Sequence, residues 1–463
     1  SDLGDAGYPG DGVANSRWNN FAPRVSLAWD PQGNGRTSIR AAYGRFFDIA
    51  SFNNYIGFSS SPPFGNTTTV SFPASFADPW QGVPGGNPYP LTLSKSAPFI
   101  NFGTYENFLL EPKTTYSQQW NVSIQRQIGS NWMASANYVG TNTVHLWSGD
   151  QANAAQLIPG VPNVASTDAR CTQSTLLVNC TTNVNVRRGL NLQNPSQGVF
   201  YGAIHQLADG GTGNYNGLLL SVQRRSSKGY SIQANYTWSH CITDLSNPEL
   251  AVAGANFMIP GQRRPDRSNC ALGDRRHILN LNAVYETPKF ANAKLRLLAS
   301  GWQVSPIIRL QSGPFLTVTS GIDQALSGQT AYERPNQVLA DVYMPNRTPS
   351  SYLNPAAFAQ PALGTYGNLG ANNIQSPGSV YINAGVTRIF KIREHQSLQF
   401  RVEAFNIPNH VNYGPPNGLS GNGTATSSAG FITTTAALNN PLFGKILSAD
   451  DPRILQGALK WVF

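Results

Sequence analysis

Residues 230 to 240 read Tyr-Ser-Ile-Gln-Ala-Asn-Tyr-Thr-Trp-Ser-His. Tyr230, Ile232, Ala234, Tyr236 and Trp238 alternate with Ser231, Gln233, Asn235, Thr237 and Ser239. In an extended chain the two-residue period sends these sets to opposite faces. One face is aromatic and aliphatic. The other carries amides and hydroxyls, where a strand facing bulk water usually carries Lys and Glu.

The same alternation recurs on both sides of this stretch. Trp120, Val122 and Ile124 alternate with Gln119, Asn121, Ser123 and Gln125, and Leu279, Leu281, Ala283 and Tyr285 with Asn280, Asn282 and Glu286. Near the end, Leu398, Phe400, Val402 and Ala404 alternate with Gln399, Arg401 and Glu403, which sets two opposite charges on the polar face two residues apart. The pattern predicts about eleven strands, near 23–30, 37–47, 117–128, 132–142, 215–226, 230–240, 276–287, 301–317, 380–391, 397–407 and 453–463. Arg126 falls on the apolar set of its strand. Pro306 falls inside another, where its missing N–H predicts a bulge.

The connections alternate in length. Pro31 to Arg36, Gly129 to Asn131 and Ser227 to Gly229 are short, whereas 49–116, 143–214 and 241–275 are long. Short and long connections therefore lie at opposite ends of the sheet, as in an antiparallel transmembrane β-barrel with tight periplasmic turns and long surface loops. Trp29, Trp132, Trp238 and Trp461 stand at strand ends, where interfacial aromatic girdles belong. A soluble sandwich also alternates, but loops of about 60 to 70 residues are uncommon there.

Composition agrees with an all-β chain. The 463 residues are 12% charged and include 44 Gly and 32 Pro. No run approaches the roughly 18 apolar residues of a membrane-spanning helix. The net charge of +9 is scattered, with Arg263, Arg264 and Arg267 and then Arg275 and Arg276 as its densest groups. Nucleic-acid binders gather such charge on one face, so no nucleic acid is expected. An anionic surface such as lipopolysaccharide suits dispersed cations better. The cysteines form two local pairs, Cys171 with Cys180 and Cys241 with Cys270, in loop-like stretches. Disulfides in an oxidising compartment are expected, since no C-x-x-C spacing is present.

The last residues, Arg453-Ile-Leu-Gln-Gly-Ala-Leu-Lys-Trp-Val-Phe463, place Leu455, Gly457, Leu459, Trp461 and Phe463 in one register. This resembles the C-terminal strand of outer-membrane barrels, where such residues are a signal to the barrel-assembly machinery. Further phrases are Asn20-Phe-Ala-Pro-Arg24 with Tyr43-Gly-Arg-Phe46, Asp274-Arg-Arg-His277, Gly301-Trp302 running to Gln311-Ser-Gly313, Phe400-Arg-Val-Glu-Ala-Phe-Asn406 with Asn409-His410, and Asp451-Pro-Arg453 with Gln456. Together they resemble the Oar-like TonB-dependent transporters. The resemblance implies a barrel of roughly 22 strands, preceded by a plug and a carboxypeptidase-regulatory-like domain. It implies that residues 1–463 are the C-terminal portion of such a barrel, without those two modules, and that the chain is a fragment. An open half-barrel would leave bare backbone groups in lipid.

No nucleophile with its base, no paired carboxylates and no metal-ligand spacing emerge, so no enzyme, metal or cofactor is expected. His277 and His410 read as rim hydrogen-bonding residues, and Asp450 with Asp451 as a solvated loop lacking calcium-loop spacing. Gly210-Gly-Thr-Gly213 reads as a flexible loop, and Asn235-Tyr-Thr237 as a strand rather than a glycan acceptor. Arg401 and Glu403 are expected to form a lumen charge pair. The resemblance implies a TonB-energised receptor or transporter in the outer membrane, with outer-membrane lipid, the barrel-assembly machinery and, through upstream segments, the TonB complex as partners. Its substrate is not legible. Two other readings stand beside it: a barrel-anchored adhesion or binding protein, and a secreted all-β binding module.

Overall fold

In the computed structural model the described residues are 17–48, 75–81, 86–87, 89–90, 99–107, 109, 111–158, 184–227, 229–245, 257–270, 274–329, 333–417 and 435–463. Eleven strands lie on one antiparallel path: β1 (Arg24–Trp29), β2 (Thr37–Phe47), β3 (Tyr116–Ile128), β4 (Trp132–Gln151), β5 (Tyr201–Ser227), β6 (Tyr230–Thr243), β7 (His277–Glu286), β8 (Trp302–Gln311), β9 (Ser379–Arg393), β10 (Gln396–Phe405) and β11 (Ile454–Val462). Each pairs with the next along the chain. They are the eleven segments that the alternation predicts.

The register carries the sequence pattern across the whole sheet. Ile124, Ala136, Leu220, Tyr236, Leu279, Leu310 and Val380 stand opposite one another in one row over seven strands. One residue along, Gln125, Ser135, Ser221, Asn235, Asn280, Arg309 and Tyr381 form the neighbouring row on the other face. A slip of one residue in any strand would exchange its two faces, so ten in-phase pairings make two continuous surfaces, one apolar and one polar.

Several boundaries differ from expectation. β4 runs to Gln151 and β5 starts at Tyr201, well inside the expected loop. Gly210 to Gly213 are therefore strand residues, Gly211 and Thr212 paired with β4 and Gly213 with both β4 and β6, not a flexible loop. Cys241 lies in β6 rather than in a loop. The expected strand 301–317 ends at Gln311, and Phe315–Thr319 joins a separate small sheet with Ile374–Gln375 and Thr435–Ala437. Pro306 makes no bulge, because β8 keeps one register with β9 from Trp302↔Arg388 to Gln311↔Ser379. Toward β7 the ladder passes from Val304↔Tyr285 to Ile307↔Asn282 without losing phase. The missing N–H falls in that gap and leaves the pairing intact. Arg126, on the apolar set, donates to Thr37 Oγ1 at 3.1 Å beside the turns.

Apolar packing lies where a soluble sheet would not put it. The main buried cluster, Leu316, Val318, Tyr352, Leu353, Phe358, Leu369, Ile374 and Phe443 among others, is built from 312–378 and 438–446, at the long-loop end. The apolar face of the sheet stays exposed, with Val122, Ile124, Leu220, Leu455 and Leu459 uncovered. So broad an exposed apolar surface marks an interaction with a partner or a membrane. No helix among the described residues is long and apolar enough to cross a membrane.

One element at the turn end escaped the sequence reading. Between β7 and β8, Ala293–Ala299 forms a helix whose N-cap Asn292 Oδ1 accepts from the N–H groups of Lys294 and Leu295. The signal was present, an Asn followed by the helix formers Ala-Lys-Leu-Arg-Leu-Leu-Ala.

Candidate functional site

The loop end is the candidate site because the connections there fold on one another. About 9 to 11 residues suffice for a strand to cross a bilayer, so β4 with 20 residues and β5 with 27 project beyond the sheet body. Gly103–Asn107 adds a short parallel strand to β5, and His205 Nδ1 meets Glu106 Oε1 at 2.9 Å. Buried Asn153 donates to the carbonyls of Tyr201 and Gly202 and accepts from Leu190 N–H. The short helices 189–193 and 195–198 are thereby fixed above β4 and β5.

Two arginines extend the knit. Arg187 Nη1 donates to the carbonyls of Gln156 at 2.9 Å and Leu326 at 2.7 Å, and Arg188 Nη1 to Asn153 O at 2.7 Å. Burial, and then the neighbouring Arg187 charge, pull the Arg188 guanidinium down to about 10. Arg334 ties the 312–378 loop to the 244–276 loop. Its Nη1 lies 2.6 Å from Asp266 Oδ1, while Nε and Nη2 donate to the carbonyls of Leu369 and Pro265. Both side chains are at most 2% exposed. Burial pushes the Asp266 carboxyl up, and Arg334 opposes it. Removing one member of such a buried pair is costly because the other charge is stranded.

Glu333 is another buried acid. Its Oε2 accepts from Gln324 and Ala325 N–H at 2.7 and 3.0 Å, and Oε1 from Ser327 Oγ. Burial first, with nearby Asp323 adding to it, raises its carboxyl to about 7. These polar groups are consumed in holding loops together. Together they join the three connections at 152–200, 244–276 and 312–378 into one cap.

Two hollows open at this end. One, of about 370 Å³, is lined by Asp150, Gln151, Asn153, Gln156, Gly189 and Gly261. There Asp150 accepts N–H bonds from Gly261 and Gln151, and burial raises its carboxyl. Its walls mix these polar groups with Ala152, Ala154, Leu190 and Pro260. The other, of about 500 Å³, lies on the apolar face and includes Tyr236, His277, Leu279, Leu310, Val380 and His410. No metal-binding group of three His, Cys, Asp or Glu residues occurs among the described residues.

The residues singled out in the sequence are placed as follows. Cys241 and Cys270 are bonded, with Cα atoms 5.3 Å apart, beside the pairing of β6 with Ser268–Asn269. Cys171 and Cys180 lie outside the described residues. Arg401 and Glu403 form an ion pair within β10 on the polar face, and Gln456 of β11 donates to Glu403. The tie between strands is thus the amide rather than the arginine. Leu455, Leu459 and Trp461 share the apolar face opposite Ala404, Phe400 and Leu398, and Phe463 is exposed just past β11. His277 Nδ1 meets Tyr236 Oη at 2.8 Å, His410 Nδ1 meets Asn412 Oδ1 at 3.2 Å, and Tyr381 donates to Asp450. Arg334, Asp266 and Glu333 were missed. Arg334 and Asp266 meet across 68 residues of chain, and Glu333 is met by a chain reversal at 324–327, so no motif spacing announces them.

Residues 3–456 match the family described as the outer membrane beta barrel domain. Among solved structures, the outer membrane transporter YddB from Escherichia coli is 11% identical, with a TM-score of 0.46 over 96% of this chain and 40% of that one. A ferric enterobactin receptor (PfeA) mutant from Pseudomonas aeruginosa is 11% identical, with a TM-score of 0.42 and the same two coverages. The ferripyoverdine receptor of the outer membrane of Pseudomonas aeruginosa is 13% identical, with a TM-score of 0.39 over 96% of this chain and 33% of that one. The chain spans two fifths of these structures' length or less. No curated protein matches it.

Proposed function

Since the chain belongs to the outer membrane beta barrel domain family, we propose that it forms wall and surface loops of a TonB-energised outer-membrane receptor that moves a substrate through the barrel. The single observation that supports this most is the sidedness of the sheet. One exposed face is predominantly apolar along the strand path, and the other carries mainly amides and hydroxyls with a few charges such as Arg309, Arg401 and Glu403. Lipid on one side and a watery lumen on the other account for both. The motifs resembling Oar-like transporters support the energised reading. The hollow beside Asp150 and Gln156 supports capture at the loop end, where the substrate first meets the protein.

In this reading the plug and the segment that engages TonB belong to the full-length protein upstream of Ser1. The loop cap then serves as the rim of a gated pore, and no chemistry is performed on the substrate. The test is binding of the full-length protein, in detergent, to the purified periplasmic domain of TonB. Saturable binding is expected. If none occurs while the protein still runs as a folded, heat-modifiable barrel, energised transport is wrong and anchoring of adhesive loops takes its place.

Leu455, Leu459, Trp461 and Phe463 serve in this proposal as the signal to the barrel-assembly machinery. Deleting Phe463 from the full-length protein is expected to lower its outer-membrane yield several-fold. Unchanged yield would remove that role from the C-terminal strand.

A further inference from the structure

The helix Ala293–Ala299 stands at the turn end of the wall, where the other connections are tight turns. Its three leucines are uncovered, Leu295 at 51%, Leu297 at 68% and Leu298 at 70% exposure. A soluble surface would not spend helix formers this way. Two further observations say what covers them.

The helix is pinned to the apolar face of the wall. Trp302 Nε1 donates to Leu298 O at 2.7 Å, Arg388 Nη1 to the same carbonyl at 3.0 Å, and Arg388 Nη2 to Leu297 O. Trp302 and Arg388 face each other in the register and share the face of Val304, Val386, Ile308 and Ile382. Arg388 also stacks over the rings of Trp302 and Phe390, and Trp302 packs edge-on against Phe400. Phe290 N–H donates to Ser300 Oγ, closing the excursion against the strands. The helix therefore sits outside the barrel, continuous with its lipid-facing surface.

The charge of this segment is one-sided. Residues 287–301 carry Lys289, Lys294 and Arg296 and no acid, and all three cations are exposed. Leucines with basic neighbours on a short helix at an interface are the composition that lies in a bilayer surface and attracts anionic lipid. The arginine and lysine stems lie along the apolar layer while their heads reach the phosphates. At the turn end the facing leaflet is phospholipid, because lipopolysaccharide occupies the opposite leaflet.

We propose that the helix Ala293–Ala299 is an interfacial element that lies in the periplasmic leaflet and holds anionic phospholipid through Lys289, Lys294 and Arg296. It rests on the wall reading, not on energised transport. Arg388 is its clamp, and Leu295, Leu297 and Leu298 enter the membrane around an arc that also holds Lys294, whose stem lies along it.

The test uses the full-length protein, its Cys241–Cys270 bridge oxidised, in vesicles of phosphatidylethanolamine and phosphatidylglycerol without lipopolysaccharide. A nitroxide is placed at Leu297→Cys and, as mid-wall reference, at Leu220→Cys, with the parent protein as labelling blank. At both positions collision with oxygen is expected to exceed collision with a water-soluble nickel reagent several-fold. Preference for nickel at Leu297 with oxygen still favoured at Leu220 overturns the inference and leaves the wall intact. Preference for nickel at both overturns the wall reading and this inference with it. The charge is tested by K289Q/K294Q/R296Q, which is expected to remove the excess of spin-labelled phosphatidylglycerol over phosphatidylcholine in the motionally restricted lipid. An unchanged excess overturns the role of the three cations.

Discussion

Glu333 shows how a single buried acid can set the firmness of the loop cap. Three donors, two backbone N–H groups and the Ser327 hydroxyl, favour its charged form, yet burial and Asp323 outweigh them and raise it from 4.5 to about 7. A raised carboxyl favours the protonated folded state. Its contribution is therefore complete below the unfolded value of 4.5 and is lost as pH rises through about 7. The full effect is on the order of 3 kcal/mol. Hydrogen exchange across 320–334, corrected for the intrinsic rate, is expected to show more protection near pH 5 than near pH 8, and Glu333→Gln should abolish the difference. Equal protection in the parent protein at both values would refute the raised carboxyl. Nothing in the local sequence announced this residue, because its environment is made by Asp323, Ser327 and a chain reversal rather than by spacing.

At the scale of elements, the wall was legible and the cap was not. Strands β2, β3, β6, β7, β10 and β11 could be read because lipid and lumen impose a two-residue period on every residue that crosses. Where β4 and β5 leave the membrane, that pressure ends and the alternation fades, so Gly210 to Gly213 reads as a loop although it is strand, with Gly213 paired on both sides. The Cys241–Cys270 bridge belongs to this extramembrane part, and local cysteine spacing was enough to find it. It closes 29 residues of chain, for which loop entropy alone predicts about 3 to 4 kcal/mol. The C241S/C270S variant is expected to be cut by protease within 245–270 while β6 and β7 stay protected. Uncut loops in that variant would mean that the Arg334–Asp266 pair and the Asn269–Asn372 contacts suffice to hold them.

For the whole molecule the decisive property is the difference between two faces of one sheet, and it can be measured on neighbouring residues. Leu220 of β5 lies in the apolar row with Ala136 and Tyr236, and Asn235 of β6 lies one row away with Ser221 and Asn280. The two positions are at nearly the same height, so depth in the bilayer is held constant. A cation on the lipid side near the midplane costs about 2 to 4 kcal/mol, whereas on the lumen side it stays hydrated. Leu220→Arg is therefore expected to destabilise folding into vesicles by about that amount, and Asn235→Arg to change it by less than about 1 kcal/mol. A soluble sheet burying its apolar face against protein would also penalise Leu220→Arg, but the penalty would persist in detergent-free buffer, where a membrane barrel should not fold at all. Equal costs at the two positions would mean that the faces do not meet different solvents. The separation of lipid from lumen, from which both the transport proposal and the rim-helix inference are argued, would then fail.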